Sequence, residues 1–213
     1  VVYSQIMGTG TGLDIQFQPQ GYVIENAPGF PERFLQLSGS GDHLRSDAAG
    51  ADLIGADGSF TFEFWARRDP VKMTADQHVL TLGSATSAGG QLRVGFTAAN
   101  EFFVTNNALS VKAPAGWTDV SWHHWAAVND KTANTVTLYR DGKLVVSVNS
   151  ALNFSGSTQT AAIGARANGN DEEGFFPGGV NNVRVWKTAL GIDRVRSARN
   201  TIVMGGGLAD LAL

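Results

Sequence analysis

An acidic segment in the last third of the chain has the residue types of a calcium site. Its oxygen-bearing side chains are those of Asn168, Asn170, Asp171, Glu172 and Glu173. Calcium accepts carboxylates mixed with amide and backbone carbonyl oxygens, and the two glycines of this segment let backbone carbonyls turn inward. The spacing does not match a helix–loop–helix calcium motif, so a second loop would have to complete the site. Candidate suppliers are Asp42, Asp47 and Asp141. The alternative is an ordinary solvated acidic loop.

Aromatic and hydrogen-bonding side chains alternate with apolar ones in three segments that read as strands. If the phenylalanines of residues 60–64 face the core, the opposite face carries a second set of side chains. That set is Glu63, Trp65, Arg67, Thr137, Tyr139, Asn182, Arg184 and Trp186. Aromatic rings pack on sugars while polar groups bond the hydroxyls, so this face is a candidate carbohydrate site. The alternative is that Trp65 and Trp186 pack beneath covering loops. Trp117 is either an exposed loop aromatic near this surface or a core plug.

The carboxylates and histidines do not form a catalytic arrangement. Glycoside hydrolysis needs two carboxylates flanking the sugar bond, and no predicted strand carries such a pair on one face. His123 and His124 are adjacent on a predicted strand, so they point to opposite faces and cannot act on one atom. No Ser-His-Asp arrangement, phosphate loop or zinc motif is present in the sequence. We therefore predict that the chain is not an enzyme.

The composition excludes several classes of partner and chemistry. The chain of 213 residues has a formal net charge of −3, which favours neither nucleic acid nor an anionic membrane as a partner. It contains no cysteine, which excludes disulfides, thiolate catalysis and cysteine-bound zinc. No apolar run is long enough to span a membrane. Because neither an initiator Met nor a signal peptide begins the chain, we interpret it as a piece of a longer protein.

Short segments of alternating polarity, separated by Gly or Asn clusters, predict β-strands. Residues 59–67 alternate most clearly, and two further alternating runs flank Asp141-Gly142, the dipeptide of a tight hairpin turn. The other predicted strands are 34–37, 78–82, 91–97, 102–105, 124–129, 158–165 and 180–186, with 14–18 as an extra edge strand. Only residues 192–200 read as helix, with Arg194, Arg196 and Arg199 toward solvent.

These elements predict an all-β fold, a sandwich of two antiparallel sheets with one short helix near the C-terminus. We assign residues 1–30 to an N-terminal lead with a possible edge strand, and residues 31–213 to the sandwich domain. Residues 208–213 are apolar and are predicted to return as a strand beside the N-terminal one, which would bring the termini together.

The order of the segments resembles that of a known family. Segments 60–65, 122–128, 138–142, 162–164 and 176–190 read FTFEFW, WHHWAAV, LYRDG, AIG and FPGGVNNVRVWKTAL. They are similar, in the same order, to motifs of the laminin G-like group of the concanavalin A-like superfamily, which includes pentraxin-like relatives. The resemblance covers about residues 34–213. The family often has Asp where this chain has Asn181 or Asn182, which removes a negative charge from a metal site there.

The resemblance implies a jelly-roll sandwich of two curved antiparallel sheets and a role in binding, often with calcium and usually outside the cell. Our first hypothesis is a carbohydrate-binding or adhesion module of an extracellular or cell-surface protein, with covalently linked neighbouring domains and a glycan or a cell-surface protein as partner. The second is a structural or protein-interaction module without a small ligand. A third is an accessory domain of a carbohydrate-active enzyme. An open aromatic face would favour the first hypothesis, and a covered one the second.

Overall fold

Two antiparallel β-sheets stacked face to face account for most of the structure. The computed structural model describes residues 16–17, 24–26, 33–47, 53–86, 90–114, 116–156 and 160–199. Within these residues there are two sheets of seven strands each, one two-stranded ribbon and one short α-helix near the C-terminus. This confirms the predicted all-β jelly-roll sandwich. No helix of the described part is long and apolar enough to cross a membrane.

The strands and the helix are joined by connections of unequal length. In chain order they are β1 (Gln16–Phe17), β2 (Ile24–Asn26), β3 (Arg33–Ser38), β4 (Leu44–Ser46), β5 (Phe60–Arg68), a 3-10 turn (Pro70–Lys72), β6 (Gln77–Leu82), β7 (Leu92–Phe96), β8 (Phe102–Thr105), β9 (Ser110–Lys112), β10 (His123–Asp130), β11 (Thr135–Arg140), β12 (Lys143–Val148), β13 (Ala161–Ile163), β14 (Arg166–Asn168), β15 (Asp171–Glu173), β16 (Pro177–Trp186) and α1 (Ile192–Ala198). We call the sheet with the order β1-β4-β13-β6-β7-β8-β9 sheet A, and the sheet with the order β12-β11-β10-β5-β16-β3-β2 sheet B.

The core lies between the two sheets and is rich in aromatic side chains. Phe60, Phe62 and Phe64 of β5 point into it and are at most 1% exposed, as their alternation predicts. They meet the inner face of sheet A, where Phe96 packs edge-to-face on Trp125 with ring centroids 5.0 Å apart. Burial of these large rings supplies much of the hydrophobic stabilisation. The opposite side of each strand is therefore free to contact whatever covers the outer faces.

The Asp141-Gly142 dipeptide forms the predicted hairpin turn between β11 and β12. Both residues have positive φ, 51° and 71°, as a tight primed turn requires. A Cβ on Gly142 would lie only 2.9 Å from Cγ of Arg196 in α1. The glycine therefore serves both the turn and the close approach of the helix.

Helix α1 covers part of the outer face of sheet B. Val195 and Leu190 form an apolar cluster there with sheet side chains, among them Tyr139 and Trp186. The guanidinium of Arg196 donates to the carbonyl of Gly142 at 3.1 Å, and that of Arg199 donates to the carbonyl of Asp141 at 2.9 Å. Arg194 and Arg196 are exposed, as predicted, although Arg196 also attaches the helix to the hairpin turn; the prediction is wrong for Arg199, which is half-buried.

The ribbon of β14 and β15 lies on the outer face of sheet A. The sequence predicts a loop here, but Arg166, Ala167 and Asn168 pair with Glu173, Glu172 and Asp171. Two side chains of sheet A and its flanks bond to the backbone at the start of the ribbon: Thr81 of β6 donates to the carbonyl of Ala165 at 2.9 Å, and Gln91, just before β7, donates to that of Ala167 at 2.6 Å. The acidic segment is thus held down on the sheet rather than extended into solvent.

Several predicted boundaries differ from those observed. The strand predicted over residues 158–165 is formed only at Ala161–Ile163, and the one over 180–186 begins earlier, at Pro177. Gln16–Phe17, within the predicted edge strand 14–18, pairs with β4 at one edge of sheet A. The predicted terminal strand over residues 208–213 lies outside the described residues.

His78 in β6 is buried beneath Gly174, the residue that follows β15 of the ribbon. It is 4% exposed, and its backbone N–H donates to the carbonyl of Gly174 at 2.9 Å. Burial, together with the positive charges of Arg93 and Arg166, lowers the pKa of His78 from 6.5 to about 4. Between these two pKa values the unfolded chain binds a proton that the folded chain does not. Stability therefore falls as the pH falls through this window.

We expect the free energy of unfolding to drop by about 3 kcal/mol from this one group as the pH falls from neutral to the folded pKa of His78. His78→Gln cannot titrate, so its stability should depend less on pH across the same window. Urea unfolding of both proteins at a series of pH values measures the difference. Equal pH dependence in the two proteins would contradict the assignment.

Candidate functional site

The face of sheet B predicted to bind a sugar is closed over its centre. Glu63 is fully buried there, and its Oε1 accepts hydrogen bonds from Nη1 of Arg184 at 3.1 Å and Nε1 of Trp186 at 2.9 Å. The imidazole of His124 lies 3.3 Å from the other carboxylate oxygen. Burial favours protonation of Glu63, but His124, Arg184 and Trp186 outweigh it and hold the pKa below its ordinary value. Glu63 is therefore an ionised structural anchor.

The same network fixes the end of helix α1. Arg184 donates to the carbonyl of Ala198 at 2.8 Å, and Nε1 of Trp65 donates to the carbonyl of Arg199 at 3.2 Å. The last carbonyls of a helix lack partners within the helix and carry partial negative charge, so a guanidinium and an indole N–H satisfy them well. The sheet side chains predicted to bind a ligand bind this helix instead.

The side chains of this face are largely inaccessible to solvent, so the expectation of an open face is wrong. The exposed fractions are 0% for Glu63, 3% for Trp186, 5% for Arg184 and 9% for Tyr139. Trp65 is half-buried and lies against His124, with ring centroids 5.7 Å apart. A sugar could reach Glu63, Tyr139 or Arg184 only if the helix left. Trp186 therefore packs beneath a covering segment, which is the second of the two arrangements expected for it.

The other three predicted ligand residues lie apart from one another. Arg67 stacks its guanidinium on the rings of Phe34 and Trp122, 5.3 and 5.5 Å from their centroids. Trp117 packs against the core as a plug, with the guanidinium of Arg140 4.3 Å from its ring centroid. Asn182 has a φ of 49° at the irregularity in the pairing of β16 with β5. Asn tolerates this left-handed conformation well, which explains the residue type at that position.

The carboxylates of the acidic ribbon are paired with arginines. Glu172 accepts from Nη1 of Arg45 at 2.5 Å, and the same guanidinium donates to the carbonyl of Gly169 at 2.8 Å. Glu173 accepts from Nη1 of Arg166 at 2.5 Å. Two of the three negative charges of the segment are therefore neutralised, one by Arg45, which is 127 residues away in the sequence, and one by Arg166, which is 7 residues away. Asn168, Asn170 and Asp171 remain exposed on the ribbon.

The carboxylates expected to complete a metal site are also engaged. Asp42 accepts from the backbone N–H of Ser38 at 2.9 Å, Asp47 from Nε of Arg45 at 2.9 Å, and Asp141 from the backbone N–H of His124 at 3.0 Å. Among the described residues, no three His, Asp or Glu side chains are grouped as they would be around a metal ion. Arg45 and Arg166 pair with two of the three carboxylates of the ribbon, which leaves fewer free oxygen donors there than the six to eight that calcium takes.

An open cleft lies at the rim of the sandwich, between two loops. It has a volume of about 460 Å³ and is lined by residues 54–58, Lys131 and residues 152–156. The fully buried amide of Asn129 in β10 joins its two walls. Nδ2 of Asn129 donates to the carbonyls of Gly58 at 3.0 Å and Leu152 at 3.2 Å, while Oδ1 accepts from the Leu152 N–H at 2.8 Å. One strand residue thus sets the distance between the loops.

Glycines bring the cleft walls close to their neighbours. A Cβ on Gly55 would lie 2.3 Å from the carbonyl oxygen of Lys187, so no larger residue fits there. A Cβ on Gly156 would lie 2.7 Å from the ring of Phe154 and 2.6 Å from the carbonyl oxygen of Gly90. Phe154 is half-buried, packs against the edge of the hydrophobic core and belongs to the lining of the cleft.

The polar groups of the cleft are suited to hydroxyl groups. Asp57 is exposed, and hydrogen bonds from the backbone and hydroxyl of Ser59, at 2.8 and 2.9 Å, lower its pKa. It is therefore an ionised acceptor at neutral pH. Lys131 donates to Oδ1 of Asn153 on the opposite wall, which places an ammonium and an amide side by side. An aromatic surface beside such groups is the chemistry of a carbohydrate site.

The sequence reasoning missed this cleft. One signal was present: Phe154 is a lone aromatic among Asn, Ser and Gly residues, in a stretch with no strand pattern. Loop aromatics between polar turn residues often contact ligands. That this loop meets residues 54–58 is a consequence of the fold, because the two segments are almost a hundred residues apart and meet through Asn129.

Residues 38–196 match the laminin G model described as the concanavalin A-like lectin/glucanases superfamily. The chain belongs to this superfamily. The match spans more than half of the chain and includes most strands of both sheets. A comparison with curated proteins finds no match.

Solved structures share the fold at low sequence identity. The CBM40 domain of the IT-sialidase of Ruminococcus gnavus, bound to α2,6-sialyllactose, is 15% identical, with a TM-score of 0.56 over 78% of this chain and 95% of that one. Domain 4 of an extracellular arabinanase from Geobacillus stearothermophilus, in complex with arabinotriose, is 16% identical, with a TM-score of 0.56 over 86% of each chain. A heptameric pentraxin of Limulus polyphemus is 16% identical, with a TM-score of 0.57 over 82% of this chain and 86% of that one.

The arginine pairs of the ribbon predict that calcium does not stabilise the domain. We expect the midpoint of thermal unfolding to be the same, within about 1 °C, in calcium and in EDTA, since one kcal/mol of binding would move it by about 2–4 °C. Differential scanning calorimetry measures both midpoints. A fall of several degrees in EDTA that calcium restores would contradict this prediction and support the calcium site predicted from the sequence.

Proposed function

We propose that this chain is a non-catalytic carbohydrate-binding module that holds its sugar in the rim cleft. The observation that carries this proposal is the cleft itself, which joins the ring of Phe154 to the polar groups of Asp57, Lys131 and Asn153. Its volume of about 460 Å³ is within the range of small-molecule sites. The closed centre of sheet B leaves the rim as the surface where aromatic and polar groups meet in a concave space.

Each group of the cleft has a distinct task in this proposal. The half-buried ring of Phe154 receives the apolar face of a sugar, because C–H groups pack well against a π-surface. The ionised carboxylate of Asp57 accepts hydrogen bonds from two neighbouring hydroxyls, and such charge-assisted bonds are the stronger ones. Lys131 and Asn153 add donors and an acceptor on the opposite wall. Because Asn129 fixes both walls, the site needs little rearrangement to bind.

The relatives of this fold support a glycan as the ligand class. The Ruminococcus gnavus domain is bound to a sialyllactose, and the arabinanase domain is bound to arabinotriose. Both are parts of carbohydrate-active enzymes, and the arabinanase is an extracellular one. By analogy we propose that this module acts outside the cell or on its surface, covalently linked to other domains.

The carboxylates support a binding role rather than hydrolysis. Asp57 is the single carboxylate among the residues that line the cleft. Glycoside hydrolysis needs two, one as acid and one as base or nucleophile. The ionised Glu63 is buried beneath α1 and cannot reach a substrate.

A protein-interaction module without a small ligand is the second candidate. The specific observation that favours it is the closure of the outer face of sheet B by helix α1, with Trp186 only 3% exposed. Such a module would contact a cell-surface protein through its outer surface and would not bind sugars. The binding experiment below separates the two candidates.

We expect the isolated chain to bind a neutral oligosaccharide in a glycan screen, with binding weakened about tenfold or more by Phe154→Ala and by Asp57→Asn. The first change removes the stacking surface, and the second removes the charge without changing the shape. Isothermal titration calorimetry gives the affinities. The same glycans incubated with the chain should release no reducing ends.

Leu144→Ala is the matched control for the loss of an apolar side chain, because Leu144 is 62% exposed on β12, outside the cleft. It should leave the affinity unchanged, and unfolding midpoints should show that every variant is folded. If no glycan binds, the protein-interaction candidate replaces this one. If binding persists in both cleft variants, the sugar site lies elsewhere on the domain.

A further inference from the structure

Residues 151–156 form neither a helix nor a strand, although most of them line the rim cleft. The backbone of such a segment needs side-chain partners for its polar groups. Two asparagines supply them from sheet B and its turns. Oδ1 of Asn134, between β10 and β11, accepts from the N–H of Ala151 at 3.1 Å, and Asn129 bonds both backbone groups of Leu152. The start of the segment is therefore attached to sheet B.

A third asparagine attaches the same segment to sheet A. Asn106, directly after β8, is 8% exposed, and its Nδ2 donates to the backbone carbonyl of Asn153. Its Oδ1 accepts from the N–H groups of Ala108 at 3.1 Å and Leu109 at 2.8 Å. Because both ends of the amide are bonded, the side chain cannot turn without losing hydrogen bonds on both sides. Asn106 is thus a fixed post for the cleft wall.

The hydrogen bond from Asn106 acts on the residue that follows Asn153. The carbonyl of Asn153 and the N–H of Phe154 belong to one planar peptide unit, so fixing the carbonyl also fixes the bond that leads to the Cα of Phe154. Two residues further along, Gly156 lies so close to the carbonyl oxygen of Gly90 that a Cβ would be 2.6 Å from it. The backbone on both sides of Phe154 is therefore held against sheet A.

We propose that Asn106 is a positioning residue of the rim cleft, which holds the ring of Phe154 in place for a sugar without touching the sugar. Asn106 itself is not part of the lining of the cleft. A ring that is already held loses little freedom when a sugar binds, and this pre-organisation raises the affinity. The inference rests on the proposed function for its ligand, whereas the order imposed on Phe154 is a property of the free chain.

Three variants separate this role from a general effect on folding. Asn106→Asp keeps the acceptor for the turn but places a carboxylate oxygen against the carbonyl of Asn153, where the donor is lost. Asn106→Ser also keeps an acceptor for the turn, and its hydroxyl is too short to reach Asn153. The matched control is Asn107→Asp, the same change one residue later, at an exposed position whose Oδ1 accepts from Arg93 at 2.6 Å.

The first measurement is ¹⁵N NMR relaxation of the whole chain without sugar. In the native chain and in Asn107→Asp we expect the N–H of Phe154 to be as rigid as the strands, with an order parameter of about 0.85, and in both Asn106 variants to fall towards about 0.6. Urea unfolding of each variant shows that it is folded. An unchanged order parameter at Phe154 in the Asn106 variants would overturn the proposal.

The second measurement is a double-mutant cycle, read by NMR titration with the neutral sugars maltotriose, cellotriose and lactose. Asn106→Asp should weaken the binding of the tightest of these about fivefold or more in the native chain. It should have no further effect in the Phe154→Ala background, because Asn106 acts through that ring. Equal weakening in both backgrounds would show an effect on the domain as a whole and would also overturn the proposal.

Failure of the proposed function gives a different pattern. If none of these sugars binds, or if Phe154→Ala leaves binding unchanged, the results contradict the cleft as their site. The order parameter of Phe154 then still decides whether Asn106 positions the ring. If binding depends on Phe154 but not on Asn106, the cleft remains the sugar site and the positioning role is wrong.

Discussion

The buried carboxylate of Glu63 is the interaction on which the outer surface of sheet B depends. A charge removed from water is tolerated only when partners surround it, and Glu63 has Arg184, Trp186 and His124 within 3.3 Å. Arg184 also donates a hydrogen bond to the carbonyl of Ala198, in the last turn of helix α1, and so links the helix to the buried carboxylate. An ion pair inside the sheet face thus determines where the helix lies, and the helix determines which surface a ligand can reach.

The functional account follows from that closure. Helix α1 covers the centre of sheet B, and the ribbon covers part of sheet A. A ligand can therefore reach the domain at the rim and on the uncovered part of sheet A. The rim cleft is positioned by a second buried polar residue, Asn129, which bonds both of its walls. In both places a buried polar side chain with several partners fixes the position of a segment at the surface, helix α1 in one case and the two cleft loops in the other.

Local patterns in the sequence were enough to predict the strands, the hairpin and the fold class. The alternation of residues 59–67 and the Asp141-Gly142 turn depend on neighbours in the chain, and the structure confirms both, with the strand at Phe60–Arg68. Exposure could not be predicted in the same way. Glu63 was assigned to the correct face, but its burial comes from a helix more than a hundred residues later. The acidic ribbon looked like a cation site because its arginine partners, Arg45 and Arg166, are not recognisable from spacing.

The stability of Glu63→Gln tests most directly whether this carboxylate holds the outer face closed. The change keeps the shape and removes the buried negative charge that Arg184, Trp186 and His124 surround, so we predict a loss of about 3 kcal/mol in the free energy of unfolding by urea. The matched change Glu173→Gln, at an ion pair on the exposed ribbon, should cost less than about 1 kcal/mol. A loss at Glu63 as small as that at Glu173 would show that the ion pair does not hold the helix, and would contradict the account.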